Sequence, residues 1–186
     1  MKKQEKKMIN SILFFANKSH NHTINRLKLM KLLWLADRIH LNRYGRTILR
    51  DQYYAMPHGP VPSKTMDISE EQHDNIFDVE NYEITAEDKF DPKCFSQSDL
   101  DILEEVWDVY GNLNQYQLED FSHLFPEWER FKDELNNPKE SYSFPMKMVD
   151  FFDKPKDADF PVNEEMSELA KEVYFSHKSI QDFLTT

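Results

Sequence analysis

The stretch RLKLMKLLWLADRIHLNRYGRTILRDQYYAMPHGPVPS, residues 26–63, decides the fold of this chain. Its first half is almost continuously apolar and is interrupted only by Lys28 and Lys31. A helix that is apolar around most of its circumference lies in the interior of a fold. Gly45 predicts the end of this helix, because glycine readily adopts the left-handed conformation of a helix cap. The sequence therefore predicts a buried central helix.

Four polar residues share one narrow stripe of this helix when it is wound at about 100° per residue. They are Lys28, Lys31, Arg38 and Asn42. The first turns of a helix favour acidic side chains, so basic residues there indicate a contact with a partner, inside or outside the chain. We assign this stripe, the basic stripe, to partner binding.

Asp37 and His40 lie on the opposite side of the helix, among leucines. A buried carboxyl group needs hydrogen-bond partners. A structural network that joins Asp37 to an arginine such as Arg46 or Arg50 explains these residues better than a proton relay. Asp37 and Gly45 are therefore predicted to have structural roles.

The second part of the stretch, from Tyr53 to Val61, predicts an ordered connection that is not helical. Pro60 and Pro62 restrict the residues before them to extended or turn geometry. One glycine between prolines lacks the consecutive backbone amides of a phosphate-binding loop, so a rigid turn is the better interpretation. We also assign to partner binding the residues Tyr54, His58, Gly59, Pro60 and Val61.

Helical spacing of apolar residues predicts further helices on both sides. They cover residues 2–18, 63–74 and 96–111, short segments after Asn114 and Pro126, and residues 163–184. The last helix has an apolar face of Met166, Leu169, Ala170, Val173, Ile180 and Phe183. Residues 76–85 fit a small β-hairpin with irregular apolar spacing. The expected fold is mainly α, a single compact helical domain (residues 1–132) around the central buried helix, with residues 133–186 as a C-terminal loop and helix that pack on it or extend it.

Composition narrows the functional class. The formal net charge of −11 over 186 residues disfavours nucleic-acid binding, unless the basic residues in 2–7 and 26–50 form a segregated face. An acidic surface fits a basic protein partner and also serves solubility. No apolar run is long enough for a membrane span and no signal-type segment follows the basic start, which predicts a cytoplasmic protein without a membrane partner. The single cysteine, Cys94, cannot form an internal disulfide or a thiolate zinc cluster.

The candidate catalytic residues have simpler structural explanations. A small hydrolase or metal enzyme would use His58, Asp120 and His123. Asp120 and His123 are three positions apart on a helix, however, which suits a structural hydrogen bond. We therefore expect no catalytic residue, no metal and no cofactor, and we assign His123 and Trp128 to the structure.

Two blocks of sequence together are more specific than any single motif. The first combines KLMKLLWLAD at residues 28–37 with Tyr44-Gly45-Arg46, Ala55-Met56 and Gly59-Pro60-Val61-Pro62. The second runs from Tyr116 to Trp128 and contains Leu118, Ser122-His123 and Pro126-Glu127-Trp128. In this combination the chain resembles the Panacea domain of SocA-like antitoxins from bacterial and phage toxin-antitoxin systems. The resemblance covers roughly residues 8–131.

The resemblance implies a mostly helical domain that neutralises a toxin from a neighbouring gene. Family members are linked to unrelated toxins, and one acts as an adaptor that delivers its toxin to a cellular protease. We therefore predict an antitoxin that binds its cognate toxin, by direct sequestration or as a chaperone or proteolytic adaptor with a cellular protease as a further partner. The alternatives are a small hydrolase or metal-dependent enzyme, and a phage or mobile-element protein that binds a host factor.

Overall fold

A long buried helix, α2 (Arg26–Tyr44), lies at the centre of the computed structural model, which describes residues 2–137, 142–156 and 160–184. Every α2 residue from Leu29 to Asn42 is buried. Asn25 caps the helix by accepting hydrogen bonds from two backbone amides of the first turn. Gly45 ends it with a left-handed φ of 66°. The predicted central helix is therefore confirmed.

Further helices precede and follow α2 in the chain. In the described part of the chain they are α1 (Lys3–Lys18), α3 (Ser63–Glu70), α4 (Gln97–Tyr110), α5 (Gln115–Ser122), α6 (Pro126–Glu129), α7 (Lys132–Leu135) and α8 (Glu164–Leu184). The central helix packs most extensively against α4, α5 and α8. No helix in the described ranges has the length and apolarity that a bilayer crossing requires.

Two small antiparallel sheets complete the described fold. Because they are small beside the eight helices of the described residues, the prediction of a mainly α fold is confirmed. One has the strand order β1-β5-β4, and the other has the order β3-β2-β6. Their strands are β1 (Thr23–Asn25), β2 (Tyr53–Met56), β3 (Gly59–Pro62), β4 (Phe77–Glu80), β5 (Glu83–Ala86) and β6 (Phe144–Pro145). The β4–β5 hairpin matches the prediction for residues 76–85. The predicted ordered, non-helical connection is confirmed, and it consists of the paired strands of the β2–β3 hairpin.

Asp37 joins α2 to the segment that follows Gly45, but its partner is not an arginine. One carboxylate oxygen accepts hydrogen bonds from the backbone amides of Ile48 and Leu49, at 2.7 and 3.0 Å. The other accepts the hydroxyl of Tyr53 at 2.9 Å. Burial raises the pKa of Asp37 to about 7, and these hydrogen bonds oppose the rise. The expected partners Arg46 and Arg50 face another site.

The last helix packs on α2 through a different face from the one predicted. Ser167 and Ala170 are buried against the end of α2. Of the predicted apolar face only Ala170 is buried, because most of its apolar residues lie on the outer side of the helix. These exposed residues are Met166, Leu169, Val173, Ile180 and Phe183.

Candidate functional site

A largely apolar groove with a volume of about 510 Å³ opens beside the first turns of α2. Its walls come from α2, the β2–β3 hairpin, α3, the β4–β5 turn and α5. The apolar side chains along it are Leu27, Met30, Met56, Pro57, Val61, Met66, Tyr82 and Tyr116. We call this surface the α2 groove. Concave apolar surfaces that carry aromatic and methionine side chains are typical of protein-binding sites.

Two tyrosines stand at the rim of the α2 groove. Tyr82 and Tyr116 are 69% and 66% exposed. Tyr82 occupies the turn between β4 and β5 with a positive φ of 66°, and the Arg26 guanidinium lies 4.9 Å from its ring centroid. Tyrosines that project from a rigid support are frequent binding anchors, because they bury much area and lose little conformational freedom.

Two carboxylates also border the α2 groove, and each lies next to a basic side chain. Glu70 lies 3.4 Å from Arg26. Glu119 lies 2.8 Å from Nδ1 of His58, whose side chain is 73% exposed. One member of each pair, Glu70 or His58, is exposed to solvent, and a pair that is open to solvent on one side is held weakly. A basic group on a partner can therefore approach either carboxylate.

The β2–β3 hairpin reaches α2 through Gly59 and Lys31. Gly59 has a φ of +99°, and a Cβ atom there would lie 2.3 Å from Oγ of Ser122 and 2.9 Å from Nζ of Lys31. The Lys31 ammonium donates a hydrogen bond to the carbonyl oxygen of Pro60 at 3.0 Å. Glycine is therefore required at this position both by backbone conformation and by space.

Lys31 has no exposed surface, and burial lowers its pKa to about 7, with the charge of Glu119 opposing this shift. Between pH 7 and the unfolded value of 10.5 the unfolded chain therefore binds more protons than the native chain. We expect stability to rise with pH across this window, by up to about 1.4 kcal/mol per pH unit.

The Lys31→Met variant is expected to lose this contribution. Urea unfolding of both proteins between pH 7 and about 9 measures it. Lys89→Met, at an exposed position, should keep the slope of the parent protein. A Lys31→Met protein with the parent slope would show that Lys31 stays charged in the native state.

His123 and Trp128 hold the hairpin from its other side. Their rings stack with centroids 3.6 Å apart, and Nε1 of Trp128 donates a hydrogen bond to the carbonyl oxygen of Met56 at 2.8 Å. Burial lowers the pKa of His123. Its buried Nε2 has no hydrogen-bond partner among the described residues. His123 and Asp120 are joined through the backbone, because the His123 amide donates a hydrogen bond to the Asp120 carbonyl oxygen at 3.3 Å, and the described hydrogen bonds include none between their side chains.

The basic stripe, predicted to contact a partner, is not a surface. Lys31, Arg38 and Asn42 are 0%, 1% and 1% exposed. Lys28 is half-buried, and its ammonium donates a hydrogen bond to the carbonyl oxygen of Gly111 at 2.6 Å. Each residue of the stripe therefore already has a partner inside the chain.

Arg38 is paired with Glu127 in the interior. Its Nε lies 2.8 Å from the Glu127 carboxylate, which also accepts the indole N–H of Trp34 at 3.1 Å. The guanidinium lies between the rings of Phe125 and Phe160, at 4.6 and 4.9 Å from their centroids. Burial raises the pKa of Glu127, and the Arg38 charge opposes the rise.

Asn42 ties α2 to the end of the chain. Its amide donates hydrogen bonds to the carbonyl oxygens of Arg38 and Phe151, at 2.9 and 2.7 Å. Its own carbonyl accepts the hydroxyl of Ser167 at 2.6 Å. All the hydrogen-bonding groups of this buried amide side chain are thereby occupied, apart from one carbonyl lone pair.

The predicted turn residues are divided between the α2 groove and the layer beneath it. His58 and Val61 line the groove, and Gly59 and Pro60 are buried below. Tyr54 is half-buried in β2, opposite Val61 of β3 and Pro145 of β6, and does not line the groove. Sequence reasoning missed other lining residues: Met56, Met66, Tyr82, Tyr116 and Glu119. Tyr116 was detectable, because it lies off the apolar face of its own short helix.

The residues proposed for a metal enzyme do not form a ligand set. His58 is exposed beside Glu119, and Nε2 of His123 is buried. Within the described ranges, no group of three or more histidine, cysteine, aspartate or glutamate side chains is placed to hold a metal ion.

Residues 29–129, more than half of the chain, match the family model described as "Antitoxin SocA-like, Panacea domain". The matched range contains most of α2, the β2–β3 hairpin, α3, the β4–β5 hairpin and α5, which together supply the walls of the α2 groove. No curated protein and no solved structure matches the chain.

Proposed function

The chain belongs to the family of SocA-like antitoxins that carry the Panacea domain, and from this we propose that it neutralises a cognate toxin protein by binding it in the α2 groove. Family membership supports an antitoxin role and suggests that this role is not enzymatic. The observation that carries the choice of surface is the apolar groove itself, with two exposed tyrosines at its rim.

The side chains that line the α2 groove favour a particular kind of toxin segment. Apolar side chains line its floor, whereas Glu70 and Glu119 border it. The whole chain carries a formal net charge of −11, which attracts basic partners over a distance. We infer that the occupant is an apolar segment with basic residues beside it.

Direct sequestration is the proposed mechanism, and the basic stripe has no part in it. Its buried members hold the groove in place instead, because Lys31 supports the hairpin that forms one wall. A toxin segment bound between the hairpin and α5 would be covered on both sides. A cellular protease is not required for inhibition by this route.

Coexpression provides the first test. The products of adjacent genes are expressed with and without this chain, and growth is measured. We expect one product that is toxic alone and harmless when this chain is present. The proposal fails if no adjacent product is toxic or if the toxic one is not neutralised. The half-life of the toxin, measured with and without cellular proteases, should stay unchanged under sequestration.

The Tyr116→Glu variant tests the groove. A tyrosine that acts as a hot spot of an interface contributes at least about 2 kcal/mol, so toxin binding should weaken by more than about tenfold. Calorimetry with the toxin found by coexpression measures this. The matched control is Tyr142→Glu, since Tyr142 is 58% exposed and lies outside the groove. Equal affinities of the two variants would exclude the α2 groove as the toxin site.

A further inference from the structure

A second cavity, of about 480 Å³, lies between the start of α1 and the segments 46–50 and 93–96. Five cationic side chains line it, although the chain as a whole is acidic: Lys3, Lys7, Arg46, Arg50 and Lys93. We call it the cationic cavity. It lies beside the C-terminal half of α2, because the amides of Ile48 and Leu49 in its wall donate hydrogen bonds to Asp37, and the Asp99 carboxylate lies 3.1 Å from His40.

Among the described residues, Asp99 is the one carboxylate in the lining. It lies 2.5 Å from Nζ of Lys7 and 2.9 Å from the Arg46 guanidinium. Burial raises the pKa of Asp99, but hydrogen bonds from His40, Lys7 and the backbone amide of Ser96 outweigh burial and hold the pKa well below its usual range. Asp99 is therefore ionised, and it fixes two cations on one wall without neutralising the cavity.

The remaining three cations have no such partner. Lys3, Arg50 and Lys93 form no ion pair with a carboxylate among the residues that the structure describes. With Lys7 and Arg46, five positive charges face one negative charge across this concave surface. A concave site lined by charges of one sign concentrates ions of the opposite sign.

Apolar groups line the same cavity. Ile48 and Leu49 are buried residues in its wall, and Phe95 is half-buried beside them. The amide nitrogen of Gln4 donates a hydrogen bond to the carbonyl oxygen of Arg50 at 2.6 Å, which fixes this segment against α1. The site thus combines two fixed cations, three exposed cations and apolar surface.

We propose that the cationic cavity binds a small polyphosphate anion of the nucleotide class. Lysine and arginine suit phosphate oxygens, and the apolar wall suits an organic group attached to them. A small anion fits better than a nucleic acid, because the net charge of −11 repels an extended phosphate backbone. The basic residues in 2–7 and 26–50 were considered above as a face for nucleic acid. Those of them that line the cavity are assigned here to a small anion instead.

Calorimetric titration of the full chain with sodium tripolyphosphate, ATP and adenosine tests this. We expect tripolyphosphate or ATP to bind, adenosine not to bind, and the affinity to fall when salt is raised to about 0.5 M. Tighter binding of ATP than of tripolyphosphate would identify a nucleotide as the ligand, and equal binding would identify inorganic polyphosphate.

The variant Arg50→Gln/Lys93→Gln should weaken this binding by about tenfold or more, because each substitution removes a charge-assisted contact. The control Lys89→Gln/Lys132→Gln makes the same charge change at exposed positions outside the cavity and should bind like the parent protein. The proposal is overturned if neither phosphate compound binds or if both variants weaken binding equally. Circular dichroism verifies that both variants are folded.

Discussion

Replacing Arg38 with methionine is expected to lower the free energy of unfolding by about 3–5 kcal/mol, because the Glu127 carboxylate would remain buried without its cationic partner. Arg38 and Glu127 are 1% and 0% exposed. Methionine fills much of the space between Phe125 and Phe160, so the loss arises mainly from the unpaired charge. Urea denaturation followed by circular dichroism measures the change.

Two further variants isolate the cause. Arg38→Met combined with Glu127→Gln removes both charges and keeps an acceptor for Trp34, so it should be clearly more stable than Arg38→Met alone. Lys154→Met breaks an exposed ion pair with Glu164 and should change stability by no more than about 1 kcal/mol. If Arg38→Met were as mild as Lys154→Met, Arg38 would be solvated, and the basic stripe would again be a candidate contact surface.

Gly59→Ala is expected to destabilise the protein by about 2–4 kcal/mol. The φ of +99° is strained for any residue with a Cβ atom, and that atom would collide with Ser122 and Lys31. The hairpin would have to move away from α2 and α5. Because the hairpin forms one wall of the α2 groove, toxin binding should weaken as well.

A double-mutant cycle separates the collision from the backbone strain. In a Ser122→Ala background the nearest colliding atom, Oγ, is absent, so Gly59→Ala should cost about 1 kcal/mol less than in the parent chain. The remaining cost reports the strain at positive φ together with the contact with Lys31. Equal costs in both backgrounds would contradict the close approach of Gly59 to Ser122.

The central helix was predictable, because the residues that determine it are close in sequence. An apolar run followed by Gly45 predicts a buried helix with a left-handed cap, whatever packs around it. The β4–β5 hairpin was also predictable from a local pattern. Its two-residue turn, Asn81 and Tyr82, has positive φ at both positions, and this turn geometry matches the twist of paired strands.

The burial of the basic stripe was not predictable, because periodicity gives the face of a residue and not its depth. Lys31 is satisfied by Pro60, 29 residues away, and Arg38 by Glu127, 89 residues away. A lone basic residue in a pattern looks the same whether its partner is a distant carboxylate or another protein. Likewise, the Asp37 carboxylate accepts hydrogen bonds from backbone amides. Every residue except proline carries such an amide, so the sequence does not indicate which ones are the partners.

The α2 groove was only partly predictable for a related reason. His58 and Val61 belong to a turn that the sequence marks with prolines, so they were found. Met66, Tyr82 and Tyr116 come from three other elements, and only the tertiary arrangement brings them together. For α8 the sequence predicted a buried face that the structure does not bury. The apolar residues have helical spacing, but most of them lie on the outer side of the helix.

The hydrogen bonds of Asn42 to Phe151 and Ser167 cannot form until late in the synthesis of the chain. Its partners Phe151 and Ser167 lie 109 and 125 residues downstream, and Arg38 also donates to the carbonyl oxygen of Asp153. The ribosome releases α2 long before these partners are synthesised. Until then, the polar groups of Asn42 and Arg38 that bond to them can bond only to water. Native burial of the central helix must therefore wait for the tail. A message cut short before Phe151 would yield a product open to proteolysis rather than a smaller working domain.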